Sequence, residues 1–580
     1  MIVRNEAHVV RDVIDAVSPY ISSWVIVDTG SEDGTQDVIR EHMKGLGLPG
    51  ELYERPWRNF GFNRTEALNL AQGHADYIWV MDADDLLVGT ADLSDLDADA
   101  YLIRIESPGV AYWRRQIFRN GVPWRYEGVV HEYTVCDVPV IEKRIEGDFA
   151  IQSRRIGGRN LDPLKYLRDA ELLLAEVERN PEDARSVFYL ARSYNCLYDW
   201  PNARKWYARR AEMGGWEEEV FFSLWRLATS MAMLGEPWPE VQDAYLRAWE
   251  YRPRRAEPLL DLAIHYRKDR RYALGYLFAQ FAARIPLPVE DDLFVNREVY
   301  HFRAADEQAV CASWTGRHAE ALELWRWILA HVSLPRADSR RIQRNRNFMA
   351  RALLEPATVY PAGLISSLTA GGVSAALTVT ITAGPEAAAT ERTLNSFLNC
   401  CLDLPKDSRF LIVDSGLSES GRSRLAQLYP FAEITQSPQD DGRVASIRKE
   451  IGGRLWLHLG AGWQFFAREH YISILTAVLD TESSVFVVGL NLNDDEDLID
   501  PEPDETELQD ADLEHADYET GEYHPMLSPE LNRVRYVLTD AVPTGPAMYD
   551  VARADKYWAG EASPHAATLE EVLCVRCSRL

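Results

Sequence analysis

The chain predicts three folded regions in the order α/β, all-α, α/β, and three observations carry that reading. Short apolar runs alternate with amphipathic stretches over the first 155 residues and again from residue 377. Between them, from about Pro163 to Leu354, the apolar residues recur at helical spacing and β-branched runs are few. A stretch rich in Gly, Ser, Ala and Pro, 356–376, then separates the helical region from the second α/β region. The expected boundaries are therefore 1–155, 160–355, a linker 356–376, and 377–580. A length of 580 residues fits three domains, and 46% hydrophobic content supplies a core for each.

The first region reads as alternating strands and helices. Ile2 onward is a strand, and the amphipathic pattern from Ala7 to Val17 is a helix. Trp24-Val25-Ile26-Val27 is a second strand and ends at Asp28. Thr29 to Thr35 is a turn, with Thr35 expected to cap a helix over Gln36–Met43. Leu52–Glu54 is a third strand, and Phe62-Asn63-Arg64 leads a helix through Ala71. Tyr77-Ile78-Trp79-Val80 is a fourth strand, buried by its composition. Strand and helix in alternation predict a parallel sheet, whose ligands sit beyond the carboxyl ends of the strands. The first strand looks clipped at Met1, from a misassigned start or a missing edge, and no signal peptide is evident.

Met81-Asp82-Ala83-Asp84-Asp85 falls at that edge. Carboxylates clustered at a strand end repel one another and are costly to desolvate unless a cation lies between them. A hard ion such as Mg²⁺ or Mn²⁺ takes one or two such oxygens and completes its shell with phosphate oxygens. The motif points to a metal held for a nucleoside diphosphate, although an acidic turn is the commoner meaning of Asp-x-Asp alone.

Four segments together, Ile2–Glu6, Val25–Thr35, Phe60–Ala67 and Met81–Asp85, resemble the family 2 inverting glycosyltransferases of GT-A (Rossmann-like α/β) fold. The resemblance covers about the first 150 residues. It implies a nucleotide-sugar donor, usually UDP-linked, with Asp28 at the nucleobase or ribose and Arg64 near the base or diphosphate. It places Asp82 at the ribose or metal-bound water and Asp84 on the metal. Plainer roles are a turn cap for Asp28 and a surface pair with Glu66 or Asp85 for Arg64. Asp33 reads as a turn former, and Asp85 as a residue that orients its neighbours.

Inverting transfer needs a base within hydrogen-bond reach of the acceptor hydroxyl. Trp124-Arg125-Tyr126-Glu127-Gly128-Val129-Val130-His131-Glu132 resembles the Gly-x-x-His-Glu region that comes after the metal motif in bacterial members. His131 is then a further metal ligand or diphosphate contact. Glu132 is the first candidate base and Glu127 the second, each against a structural salt bridge. The usual Glu-Asp pair is not found. Arg119 offsets diphosphate charge or lies on the surface, and Trp113 and Trp124 are candidates to stack on a sugar.

The helical region carries a repeat. Leu190-Ala191, Leu227-Ala228 and Leu262-Ala263 are spaced 37 and 35 residues apart, and Ala211, Ala248 and Ala283 keep those spacings. Small residues at fixed positions let helices approach, with Tyr207 and Tyr245 filling gaps. A fourth copy is expected through Trp314–Ala321. The logic is that of tetratricopeptide (TPR) repeats, here degenerate and so TPR-like. The array is either a spacer or a surface for a protein acceptor or for homodimerisation.

In the third region, strands are expected at Leu377–Ile381, Phe410–Val413 and Leu455–Leu459, with helices at Thr390–Cys401 and about Val444–Ile451. Asp414-Ser415-Gly416 echoes Asp28-Thr29-Gly30, and Gly460-Ala461-Gly462 stands where Asp82-Ala83-Asp84 stands in the first region. The intervals are 46 and 54 residues. This predicts a second GT-A-like domain without its metal carboxylates. Within it, 494–522 holds fifteen carboxylates and no Lys or Arg, about half of the net charge of −28, and reads as a solvated acidic loop. So acidic a chain is a poor match for nucleic acid, and no apolar run spans a bilayer. Seven cysteines, with one Cys-x-x-Cys at Cys574–Cys577, lack a zinc ligand set and suit a reducing cytoplasm. Expected is a metal-dependent glycosyltransferase acting on a protein, or on a surface glycan or lipid-linked saccharide. The alternative is a non-catalytic repeat adaptor or assembly protein.

Overall fold

The computed structural model describes residues 1–107, 110–154, 156–372, 375–436, 447–460, 462–490, 536–539, 542–543, 545–560, 565–569 and 573–576. The acidic block 494–522, Ala461, Cys577 and residues 444–446 of the expected helix at 444–451 lie outside these residues, and the rest of that stretch holds a short 3-10 turn, Arg448–Glu450. The chain divides into two compact units, Met1–Leu262 with Phe281–Ala304, and Ala263–Gln280 with Ala305–Leu580.

The first unit opens with β1 (Ile2–Val3), α1 (Val10–Val17), β2 (Trp24–Asp28), α2 (Thr35–Leu46), β3 (Gly50–Glu54), α3 (Phe60–Leu70) and β4 (Tyr77–Trp79). Helix α1 buries Val10, Val13, Ile14 and Val17, an i, i+3, i+4, i+7 stripe. Asn59 caps α3 by accepting from the Phe62 N–H at 2.8 Å. Thr35 is not the cap of α2 but its first residue. Its fully buried hydroxyl accepts from the Glu6 N–H at 2.9 Å and donates to Asp33 at 2.5 Å. Strands β1, β2 and β3 pair in parallel, with Val3 opposite Asp28 and Asp28 opposite Glu54.

The fourth strand departs from the expected parallel sheet. After β4 come β5 (Asp85–Val88), β6 (Ala100–Ser107), β7 (Val110–Arg119), β8 (Arg125–Glu127), β9 (Tyr133–Val135), β10 (Glu142–Arg144) and β11 (Ala150–Ser153). They form a separate sheet in the order β4-β7-β6-β11-β5, with β10 on β6, and a β8–β9 hairpin. With only two residues, β1 ladders with β2 alone, and β4 takes its partner antiparallel from β7. A cavity of about 290 Å³ lined by Ile2, Trp24 and Tyr77–Val80 lies between these edges. Strand β11 returns to pair Ser153 with Asp85, which brings the next segment back to the acidic motif.

The helices are α4 (Lys165–Arg179), α5 (Ala184–Cys196), α6 (Trp200–Glu212), α7 (Glu217–Met233), α8 (Trp238–Tyr251), α9 (Glu257–Lys268), α10 (Tyr272–Arg284), α11 (Ala304–Trp314), α12 (His318–His331) and α13 (Arg336–Ala357). The repeat is real as geometry. The Leu-Ala pairs fall on α5, α7 and α9, and Ala211, Ala248 and Ala283 on α6, α8 and α10. Ala191, Ala228, Ala263 and Ala248 are completely buried, as is Tyr207. The expected fourth copy is α11 and α12, turned by Gly316 at φ +78°.

The second unit contains β12 (Leu377–Ala383), β13 (Arg409–Asp414), β14 (Ala432–Gln436), β15 (Leu455–Leu459), β16 (Trp463–Phe465), β17 (Val487–Gly489), β18 (Tyr536–Thr539), β19 (Ala547–Asp550), β20 (Ala566–Leu569) and β21 (Cys574–Arg576). Eight of them form one sheet, β14-β13-β12-β15-β19-β17-β20-β18, and β16 pairs with β21. Here the central strand β12 has seven residues and ladders in parallel with β13 on one side and β15 on the other. Among the described residues no helix is long and apolar enough to cross a membrane.

Candidate active site

A cleft of about 480 Å³ opens at the carboxyl ends of β1 and β4. Its walls include Arg4, Glu6, Thr29, Trp57, Phe60, Arg64, Asp82 and Asp84. The segment 157–169 lines it as well.

Asp82 and Asp84 play different parts. Both oxygens of Asp82 are taken by arginines, Oδ1 by Arg64 and Oδ2 by Arg114 at 3.3 Å. Burial pushes this carboxyl up, but the two guanidiniums together hold it well below the usual carboxylate range. Asp84 accepts from the Gly157 N–H at 2.9 Å and from Asn160 Nδ2 at 3.4 Å, both on Oδ2. Asp85 opens β5 buried, and burial with the neighbouring Asp82 and Asp84 pushes it up to about 7. Its Oδ2 has no hydrogen-bond partner and lies 3.7 Å from Arg114.

Arg64 joins two other candidate residues, Asp82 and Glu132. Its Nε lies 2.5 Å from Glu132 Oε1 while its other end holds Asp82. It pairs with neither Glu66, which pairs with Arg55 at 3.3 Å, nor Asp85. The hairpin end is docked on the start of α3, where Phe60 and Gly61 N–H groups donate to Val129 and Gly128 at 3.2 Å. Left-handed backbone at Gly128 (φ +104°) and His131 (φ +55°) turns the chain there. Glu127 points elsewhere, bound by Arg125 at 2.7 Å and by the Tyr133 hydroxyl at 3.3 Å.

Three expectations are corrected. His131 stacks on Tyr189 with ring centroids 3.9 Å apart, and no group of three metal-ligating side chains forms among the described residues. The expected set Asp84, Asp82 and His131 therefore does not assemble. Desolvation and the cations Arg192, Arg159, Arg185 and Lys165 push the His131 imidazole below its ordinary value. Arg119 pairs with Asp99 at 3.3 Å and lies over Tyr77. Because β7 runs antiparallel to β4, Arg119 sits at the start of β4, the end away from Asp82. Trp124 is buried against Phe118, with centroids 5.3 Å apart. Trp113 carries Arg144 over its ring at 4.9 Å.

Asp28 is buried where β2 ends. Its Oδ1 accepts from Gly30 and Ser31 N–H groups at 2.9 and 3.0 Å and from Gln36 Nε2 at 3.1 Å. Its Oδ2 is buried without a hydrogen-bond partner, and Thr29, the next residue in the chain, lines the cleft. Such an oxygen suits an N–H or O–H brought by a ligand.

Sequence reasoning assigned no role to Glu6, Trp57, Phe60, Arg114 or the 157–169 segment. Glu6 accepts from Gly158 N–H at 3.1 Å, and burial, opposed by that bond and reinforced by Asp84, pushes it up to about 7. Trp57 and Phe60 meet edge to face at 4.6 Å on the cleft wall. Close approach favours glycine at 157 and requires it at 158. A Cβ at 157 would lie 3.1 Å from the Asp84 and Glu6 carboxylates, and one at 158 would lie 2.7 Å from Asn5 O.

Residues 1–94 match the family described as Glycosyl transferase family 2. A TPR repeat-containing protein of Synechococcus elongatus is 26% identical over 248 residues, covering 39% of this chain and 58% of that protein. This chain thus spans less than two thirds of that relative. Among solved structures, the TPR protein YrrB is 16% identical with a TM-score of 0.24 over 32% of this chain and 84% of that one. BtubC from P. vanneervenii is 13% identical with a TM-score of 0.27 over 34% and 84%. The chain joins a glycosyl transferase family 2 region at its start to TPR-like helical repeats.

Proposed function

We propose that this chain is a metal-dependent inverting glycosyltransferase. It moves a sugar from a nucleotide-sugar donor, UDP-linked as first choice, to an acceptor hydroxyl, with a polypeptide acceptor favoured by the repeat array. The observation that carries this reading is the division of labour at Asp82 and Asp84. One carboxylate is locked between two arginines, and the other is presented to the cleft with Oδ1 outside its two hydrogen bonds.

The donor set fits a hard cation that takes one protein carboxylate and completes its shell with substrate phosphate. Asp84 would hold it, and Asp82 supports the site through Arg64 and Arg114 rather than as a ligand. When bound, Mn²⁺ or Mg²⁺ offsets charge on the departing diphosphate. Asp28 Oδ2 accepts from the nucleobase or ribose. Trp57 and Phe60 offer aromatic surface to the base or sugar. Glu132, fixed by Arg64, accepts the acceptor proton, and Glu127 is turned away on its hairpin.

We read the sheet of the second unit as a like fold without a working site. Asp414 Oδ1 accepts from Gly416 and Leu417 N–H groups at 3.0 and 2.8 Å, the same two offsets that Asp28 uses. Eight residues on, where the first unit has Gln36, Arg422 engages Asp414 Oδ2. Beyond β15 a Cβ at Gly460 would lie 2.6 Å from the Trp463 ring and one at Gly545 2.9 Å from it. A tryptophan thus packs where the first unit presents carboxylates.

A screen of UDP- and GDP-sugars with Mn²⁺, read by thermal shift and donor hydrolysis, tests the proposal. Hydrolysis by the wild type and none by Asp84→Ala, with the melting temperature kept, is expected. Undiminished hydrolysis by Asp84→Ala, or no donor bound by the wild type, overturns it in favour of a repeat adaptor.

A further inference from the structure

We propose that residues 156–168, the approach to α4 and its first turn, form a cationic arm that binds the donor's diphosphate through Lys165 and Arg168, with Arg159 as its anchor. This deepens the donor-site reading above and rests on it. The arm is seated on the acidic wall of the cleft. Gly157 N–H binds Asp84, Gly158 N–H binds Glu6, and Arg154 Nε donates to the Asp84 carbonyl at 3.0 Å. His8 Nε2 meets the Ile156 carbonyl at 2.9 Å. Paired glycines allow these approaches, which fix the arm's side chains against the same cleft as Asp84.

Arg159 is held firmly, with one guanidinium nitrogen 2.7 Å from both oxygens of buried Asp169 and the group stacked over Phe60 at 4.1 Å. Lys165 Nζ donates to Asn160 Oδ1 at 2.6 Å, so in this contact its charge meets a neutral amide. Arg168 meets Asp162 at 2.7 Å in a pair with 63% of the arginine side chain exposed. An exposed pair of this kind is worth little and exchanges readily for a phosphate.

Charge balance calls for such an arm. A departing nucleoside diphosphate carries more negative charge than one divalent ion cancels, and Asp84 consumes part of that ion's charge. Arg64 and Arg114 are committed to Asp82. The cleft wall also carries Lys165 and Arg168, three residues apart in the first turn of α4.

Calorimetry on the full chain with UDP, GDP and inorganic pyrophosphate, each with Mn²⁺, tests this. Lys165→Ala and Arg168→Ala are expected to weaken the best-bound probe about tenfold or more each, with melting unchanged and with Lys165→Arg retaining most of the affinity. Wild-type affinity in both alanine variants, alongside a loss in Asp84→Ala, overturns the arm and leaves the donor site standing. No binding of any probe by the wild type overturns both.

Discussion

Two aspartates with a single alanine between them illustrate how little a motif says about the work of each member. Asp82 holds Arg64 and Arg114 in place, and through Arg64 it also fixes Glu132. Asp82→Asn would leave the half-buried Arg64 and the partly exposed Arg114 short of countercharge. We expect urea unfolding to lose about 1–2 kcal/mol. Asp84→Asn keeps an oxygen for Gly157 and Asn160 and is expected to change stability by less than about 1 kcal/mol while donor hydrolysis is lost. The spacing Asp-x-Asp located the site but not this division, because the arginines arrive from α3 and β7.

At the scale of elements, strand direction decided which arginine reaches the site. Arg114 and Arg119 both belong to β7, and sequence reading chose Arg119. The antiparallel pairing with β4 sends Arg119 to the far end and leaves Arg114 beside Asp82. Strand existence was legible from apolar runs, and β2, β13 and β15 lie within a residue of their expected bounds. Strand direction was not legible, since it depends on which edge is left unpaired. Glu132 was legible from local resemblance, and its partner Arg64 from the α3 segment, but nothing local linked Gly157 to Asp84 across 73 residues. The helical repeats offer an element-scale prediction. Asp261 of α9 accepts from Trp225 Nε1 of α7 at 2.7 Å, and burial pushes it from 3.8 up to about 6 despite that bond. A carboxyl neutral in the fold stabilises fully below its unfolded value, and the contribution is lost as pH rises through 6. Unfolding measured from pH 4 to pH 7 should therefore show a decline, shared with the raised Glu6 and Asp85, that Asp261→Asn, which still accepts from Trp225, makes shallower.

Over the whole molecule, one local device occurs twice with opposite outcomes. Asp28 and Asp414 each end a parallel strand and bind the next turn through the same two amide offsets. Asp28 keeps a buried oxygen without a hydrogen-bond partner, and Asp414 has Arg422 on its second oxygen. Asp28→Asn is expected to weaken donor binding about tenfold or more by calorimetry, and Asp414→Asn to leave it unchanged. Equal losses would give the second sheet a part in donor binding. The echo of the two turns was legible in the sequence as Asp-x-Gly after an apolar run. The arginine that closes one of them was not, because its meaning lies eight residues on, across a helix start.

The return of β11 to Asp85 has a consequence for how such a protein can be divided or recombined. The stretch that matches the family model ends at residue 94, before Arg114, Glu132 and the 157–169 segment are made. A chimaera joined at that point would inherit the acidic motif without the groups that clamp, orient and face it. On the proposed reading, the smallest piece to be exchanged between relatives as a catalyst would run through α4, and the first helix of the repeat region would travel with the chemistry rather than with the scaffold.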